Sequence, residues 1–142
     1  ISRHLLGIAM HISRLKLKNW RNFKSGEILD LPEAVYILGP NASGKSNLLD
    51  AVRFLRDIAK HRGGGLQDAI DSRGGVGKIR CLHARNDTEI LIEIDIVNDD
   101  GLLAWQYELG FNIPPKGKMM FCFVFPALSP IHRRAIMRHQ HR

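Results

Sequence analysis

Residues 39–46 read GPNASGKS, and NLLDAVRFLRD follows at 47–57. Two glycines separated by four residues and closed by Lys and Ser have the spacing of a phosphate loop, which needs sharp backbone turns, inward N–H groups, a helix start and one flexible cation. Gly39 allows the turn out of a preceding strand, the backbone N–H groups of Asn41 to Lys45 can form an anion nest, and Gly44 permits close approach. Lys45 is placed to reach the outer two phosphates of a nucleotide, and the Ser46 hydroxyl to ligate magnesium. By chance such a pattern arises in roughly one chain of this length in a few hundred. The flanks lower those odds, because the mechanism demands a strand before the loop and a helix after it, and both are legible.

Before the loop, AVYIL at 34–38 is a compact apolar run of the kind expected for a strand buried on both faces. Residues 11–18, with Ile12, Leu15 and Leu17 among Ser and basic residues, fit a half-buried strand, and 27–31 a second one. The polar residues 22–26 between them make the pair a hairpin. After the loop, Leu48, Val52, Leu55 and Ala59 form a stripe that Leu49, Ala51, Phe54 and Ile58 widen, predicting a helix over 46–60 packed between layers. Arg62 and the glycines at 63–65 end it, and the glycine-rich stretch to Gly77 holds at most a helical turn in LQDAI. Three further strands are expected at 78–85, 88–97 and 102–111, joined by hairpin turns at 86–87 and 98–101 into an antiparallel meander.

The chain's net charge of +7 is unevenly placed. Residues 1–112 hold 15 Lys or Arg against 14 Asp or Glu, whereas 113–142 hold six basic residues and no acid. A uniformly basic DNA-binding face is therefore not expected, although a solvated basic arm could touch nucleic-acid phosphates. Residues 113–142 also carry four of the six prolines and are read as a tail, either flexible or the product of a truncation or frameshift. Residues 1–9 make a poor secretory signal and are read as a leader upstream of a native start at Met10, leaving 10–112 as the lobe that folds. The apolar run at 119–128 is too short to span a bilayer. Cys81 and Cys122 lack metal-ligand spacing, so a reducing compartment, the cytoplasm, is expected.

Hydrolysis would require an acid to hold the magnesium and another to activate water. ILIEIDIVNDD at 90–100 is tempting, but Glu93 and Asp95 share one face of it and Ile90, Ile92, Ile94 and Ile96 the other, the pattern of a strand with one wet side. Its acids are read as solvated, with Asp99 and Asp100 in a hairpin turn, and no catalytic residue is assigned. SRGGVG at 72–77 is read as a linker, Gln67 as a surface residue, Trp20 and Trp105 as core or rim packing, and His132, His139 and His141 as lacking the scaffold of a metal site.

The order of elements resembles a known family. HISRLKLKNWRNFKSGEILDL followed by AVYILGPNASGKSNLLDAVRFL is similar to the N-terminal part of RecF/SMC-like, ABC-type AAA ATPases related to the bacterial OLD and RecF groups. In that family a first strand ends in a motif like N-F-R-S-F, here Asn19 to Phe23, and the Walker A loop G-P-N-x-S-G-K-S follows. The resemblance, over about residues 10–112, implies an α/β P-loop NTPase head whose N-terminal lobe combines a mixed sheet with an antiparallel β-meander. It implies ATP and Mg2+ as ligands, held by Gly39, Pro40, Asn41, Ala42, Ser43, Gly44, Lys45, Ser46 and Asn47, with Arg21 and Asn22 beside the nucleotide. It further implies action on DNA in repair or phage defence, as head-to-head dimers with ATP between the heads. The signature loop, Walker B acids and switch His of the family are not recognisable in this sequence, so an ATP-binding fragment with an incomplete catalytic site is expected. The alternative is a degenerate, non-enzymatic module whose basic tail meets nucleic acid. A small P-loop kinase or GTPase fits less well, since a hairpin precedes the loop and no NKxD motif follows.

Overall fold

The structure is a computed structural model, described here for residues 9–84 and 87–112. Residues 1–8 of the expected leader, the basic tail with Cys122 and its three histidines, Arg85 of the strand expected at 78–85 and Asn86 of the 86–87 turn lie outside the described residues. Seven elements follow in order: β1 (Met10–Trp20), β2 (Phe23–Ile28), α1 (Lys45–Ala59), α2 (Leu66–Asp71), α3 (Val76–Ile79), β3 (Glu89–Asn98) and β4 (Leu103–Asn112). The strands make one sheet in the order β2-β1-β3-β4, every neighbouring pair antiparallel.

β1 is longer than its alternation predicts, and one irregularity explains why Ile12 and Leu15 can face the same way. The register against β3 slips between Ile12 and Arg14, so Ser13 is an extra residue and the two apolar residues fall on one side. Ser13 also accepts a backbone bond from Leu31 N, which ties down the chain leaving β2. The hairpin turn sits earlier than expected. Trp20 pairs with Phe23, so only Arg21 and Asn22 turn, while Ser25 and Gly26 lie in the ladder. The second strand is therefore Phe23–Ile28, not 27–31.

β3 buries Ile90, Ile92 and Ile94 on the inner face, joined by Leu15 and Leu17 of β1 and Leu109 and Phe111 of β4. α1 lies on that face through Ala51 and Phe54, and α2 and α3 add Ala69, Ile70 and Ile79. Phe54 is the centre: its ring lies 5.1 Å from Trp20 and 5.6 Å from Phe111. Each such fully buried side chain stabilises the fold by roughly 1.5–3 kcal/mol. The turn between β3 and β4 is the expected one, with Asn98 Oδ1 accepting from the N–H groups of Asp100 and Leu102 and Gly101 at φ 74°. Trp20 is fully buried and Trp105 is 41% exposed.

Three expectations fail. Of the strand expected at 78–85, the described residues 78–84 form none. They begin in α3, make one isolated bridge between Arg80 and Trp20, and turn, with Cys81 N bonded to Asn19 O. The two residues that pair there extend the sheet only at the very end of β1, past the point where β3 has left it. AVYIL at 34–38 joins no ladder, and Tyr36 and Leu38 are 90% and 91% exposed. The described sheet is accordingly antiparallel and not mixed. Finally, among the described residues α1 is covered on one side only, and Leu49 and Val52 remain exposed.

Candidate functional site

Gly44 immediately precedes α1 at φ 96°, a left-handed conformation that a residue with a Cβ rarely adopts. Ala42 sits at φ 63° without that freedom, which stores about 1 kcal/mol of strain. These two reversals fold 39–46 into a tight loop, closed by Ser43 N on Pro40 O at 3.3 Å. The N–H groups of Asn41, Ala42, Gly44, Lys45, Ser46 and Asn47 have no acceptor among the described residues, while Leu48 N bonds Gly44 O. An unpaired run of N–H groups at the start of a 15-residue helix is the electrostatic requirement for binding an anion.

Lys45 folds back over the loop, its Nζ donating to Gly39 O at 2.6 Å, Pro40 O at 2.5 Å and Ser43 Oγ at 3.4 Å. The ammonium is thus already at the loop and held by weak neutral acceptors. Ser46, first in line after it, is exposed.

Arg21 and Asn22 reach the loop from the β1–β2 turn. Asn22 Oδ1 accepts from Asn47 Nδ2 at 2.9 Å, and the Asn22 amide lies where a Cβ on Gly44 would be, 2.5 Å from Nδ2. The close approach that Gly44 permits is therefore made here by Asn22. Trp20 Nε1 donates to Asn47 O at 2.8 Å, so the same turn fixes both ends of Asn47. Arg21 bonds Asp50 Oδ2 at 2.9 Å and Lys78 O at 3.0 Å.

Asp50 is shared. Its other oxygen takes Arg73 Nε at 3.0 Å, and Arg73, only 8% exposed, also reaches Asp57 Oδ2 at 2.9 Å and lies 5.0 Å over the Phe54 ring. Sequence reasoning missed this network. Its trace was present, because Asp50 and Asp57 stand seven residues apart on one side of α1, but the arginine that joins them lies in a glycine-rich stretch read as linker. Asn19 was also missed as a support. It is 1% exposed, sits at φ 54°, and its Nδ2 bridges Asp87 O and Glu89 O at 3.2 and 2.7 Å.

The acids of β3 are not solvated as expected. Glu93 bonds Lys16 Nζ at 2.7 Å and Arg14 at 2.9 Å, and Asp95 lies 3.5 Å from Arg14. Burial pushes the Glu93 carboxyl up, and the bonds from Lys16 and Arg14 together outweigh it and hold it below its ordinary value. Both acids stand on the sheet face away from α1, since Ile90, Ile92 and Ile94 alternate with them into the core. Gln67, as expected, is a surface residue, bonded to Asp71 within α2.

Residues 35–116 match the family described as “AAA domain, putative AbiEii toxin, Type IV TA system”, and residues 12–56 match “P-loop containing region of AAA domain”. The chain belongs to the AAA domain family. Within it the chain is RecF/SMC-like: it is 32% identical over 87 residues to the DNA replication and repair protein RecF of Synechocystis sp., covering 61% of this chain and 23% of that protein. It is 33% identical over 102 residues to the chromosome partition protein Smc of Bordetella petrii, covering 69% of this chain and 8% of that one. A solved structure of the recombination mediator protein RecF with ATP superposes with a TM-score of 0.56 at 20% identity, over 82% of this chain and 28% of that one, which fixes the fold as that of a P-loop ATPase head. The AAA chain thus spans about a quarter of the length of its RecF relatives. Among its described residues no helix is long and apolar enough to cross a membrane.

Proposed function

We propose that this AAA chain binds the phosphates of ATP through residues 39–47, with Ser46 offering its hydroxyl to the accompanying Mg2+. The observation that carries the reading is that the N–H groups of Asn41, Ala42 and Gly44 to Asn47 have no acceptor among the described residues, beside a lysine already bent over the loop. An arriving phosphate would replace the Gly39 and Pro40 carbonyls as the partner of Lys45, exchanging neutral acceptors for charged ones. Mg2+ is ordinarily held by few protein oxygens together with phosphate oxygens and water, so one exposed Ser46 hydroxyl suits it. Asn22 and Arg21 support the loop from the side.

Turnover by this chain alone is expected to be negligible. Asp50, one helical turn beyond Ser46, is engaged by Arg21 and Arg73, and Glu93 and Asp95 are paired on the far face of the sheet. The name of the RecF relative, a DNA replication and repair protein, supports DNA as the partner of the whole protein; a head-to-head homodimer in the cytoplasm is its proposed working form, on the family resemblance alone. Calorimetric titration with Mg-ATP tests the reading. The full chain should bind and Lys45→Ala should weaken binding at least tenfold, from the loss of one charge-assisted contact of about 1.5–3 kcal/mol. Unchanged affinity in Lys45→Ala, or ordinary enzymatic turnover that this variant abolishes, would overturn the respective half.

A further inference from the structure

The two edges of the sheet differ. β2 has six residues, carries Lys24 and Gly26, and is followed by a chain that Leu31 N ties back to Ser13 O. Short length, a lysine and a covering segment are the devices that keep an edge strand from pairing with other strands. β4 has none of them. It is ten residues long, has no lysine or proline and a single charge, Glu108, and no described residue pairs with it on the side away from β3.

The inner face of β4 is covered for only half its length. Phe111, Leu109, Tyr107 and Trp105 lie opposite Ile90, Ile92, Ile94 and Ile96, on the face that α1 packs against. The first two are buried, whereas Tyr107 and Trp105 are 37% and 41% exposed. Where the strand ends, Asn112 Oδ1 is buried without a hydrogen-bond partner among the described residues, an acceptor left for the chain that follows.

That following chain has the composition to complete the edge. Residues 113–118, IPPKGK, hold two prolines and a glycine, which is turn chemistry, and 119–125, MMFCFVF, are apolar and rich in strand-forming aromatics. Pro126, which cannot donate to a ladder, closes the run. Phe121, Phe123 and Phe125 recur at a spacing of two and so share one face of a strand. Turned back antiparallel along β4 with Phe125 opposite Trp105, they fall opposite Tyr107 and Leu109 as well. A slip of one residue would set them on the outer face, with Gln106 and Glu108 among their partners, so burial selects the first register.

We propose that residues 119–125 dock on the free edge of β4 as a fifth strand, with Phe125, Phe123 and Phe121 opposite Trp105, Tyr107 and Leu109 and with Cys122 opposite Glu108. Main-chain bonds hold the segment and the phenylalanines set its register. The inference is independent of the phosphate reading of 39–47, and it fixes where the basic arm begins. β1 runs from Met10, paired with Asn98, to Trp20, whose indole bonds Asn47 O, so the 98–101 turn lies at the end of the sheet remote from the loop. Arg133, Arg134, Arg138 and Arg142 follow Pro126 and therefore set out from that remote end.

The test uses the full chain. Under mild oxidation Glu108→Cys should form an intramolecular disulfide between position 108 and Cys122, identified by peptide mapping, and Tyr107→Cys, on the opposite face, should not. Amide hydrogen exchange should show the β4 N–H groups that point away from β3 slowed about tenfold or more relative to the same groups in Phe123→Asp. Equal exchange in the two chains overturns the fifth strand even where a disulfide forms, and so does a disulfide that forms as readily from position 107. A disulfide between chains, with β4 protection that rises with protein concentration, overturns the assignment to this chain's own segment and gives the edge to a second copy.

Discussion

Replacing Gly44 by Ala tests whether the loop is held by the β1–β2 turn. Two costs are expected, and the structure separates them. A Cβ at φ 96° is strained by about 1–2 kcal/mol wherever it is put. It would also lie 2.5 Å from Asn22 Nδ2, and because that atom is the end of a short side chain, Asn22 swings away and does not resist. What is then lost is its hydrogen bond from Asn47, about 0.5–1.5 kcal/mol. Gly101→Ala supplies the strain alone, since Gly101 has φ 74° and nothing within 4 Å of the added Cβ. In urea titrations followed by Trp20 fluorescence, Gly44→Ala should thus cost about 2–3 kcal/mol and Gly101→Ala about 1–2 kcal/mol. In an Asn22→Ala background, where the bond is already gone, Gly44→Ala should cost only about 1–2 kcal/mol. An equal cost in both backgrounds would show that Asn22 and Gly44 are not coupled, and the support assigned to the turn would be wrong.

Ala42→Gly should raise the urea midpoint, because it releases about 1 kcal/mol of left-handed strain at φ 63°. Arg73→Ala should lower stability by about 2–3 kcal/mol, through loss of its contact with Phe54, its bond to Ala69 O and its pair with Asp50. It should fall short of the roughly 3–5 kcal/mol for orphaning a buried charge, because Asp50 keeps Arg21. Stability should also fall with acid. The Asp57 carboxyl is held well below the usual range by Lys60, then Arg56 and Arg73, Asp87 is lowered by Lys18, and Glu93 is lowered despite its burial. Depressed carboxylates stabilise the fold above their unfolded values of about 4 and lose that contribution as pH falls through the lower folded values. Urea midpoints should be steady from about pH 7 to 5 and decline below about pH 4, and Asp57→Asn should flatten the decline. A midpoint that rises on acidification would refute the assignment.

The loop was legible because its chemistry is local. Turn, nest, cation and helix start all lie within nine residues, and the residues that make them are nearly irreplaceable there. β3 and β4 were legible for a similar reason, since alternation and the 98–101 turn are local signals. The Arg21–Asp50–Arg73–Asp57 network was not, because an arginine in a glycine-rich segment gives no periodic signal and acquires meaning only when α1 is laid across the sheet. Residues 78–85 failed for the opposite reason. Ile79 and Cys81 alternate as a strand should and are fully buried, yet the sheet edge available to them is two residues long, so the same burial is reached by a short helix and a turn.

The run at 34–38 shows the limit of apolar pattern as evidence. AVYIL has the composition of a strand covered on both faces, and α1 has apolar residues around more than half its circumference. Both signals describe a two-layered surrounding. The described residues supply one layer, the antiparallel sheet that covers Phe54 and Ala51, and none against Leu49, Val52, Tyr36 or Leu38. The loop lies at the junction, with its helix anchored on the covered side by Trp20 and Asn22 and its entering segment, residues 34–38, uncovered. Of the two supports a phosphate loop requires, the helix side is therefore complete in this lobe, and the geometry of Gly44 to Asn47 should outlast that of residues 34–40 when the chain is destabilised. Amide hydrogen exchange can order them: protection at Leu48 to Ala51 should exceed that at residues 34–40 by orders of magnitude, and equal protection would contradict this asymmetry.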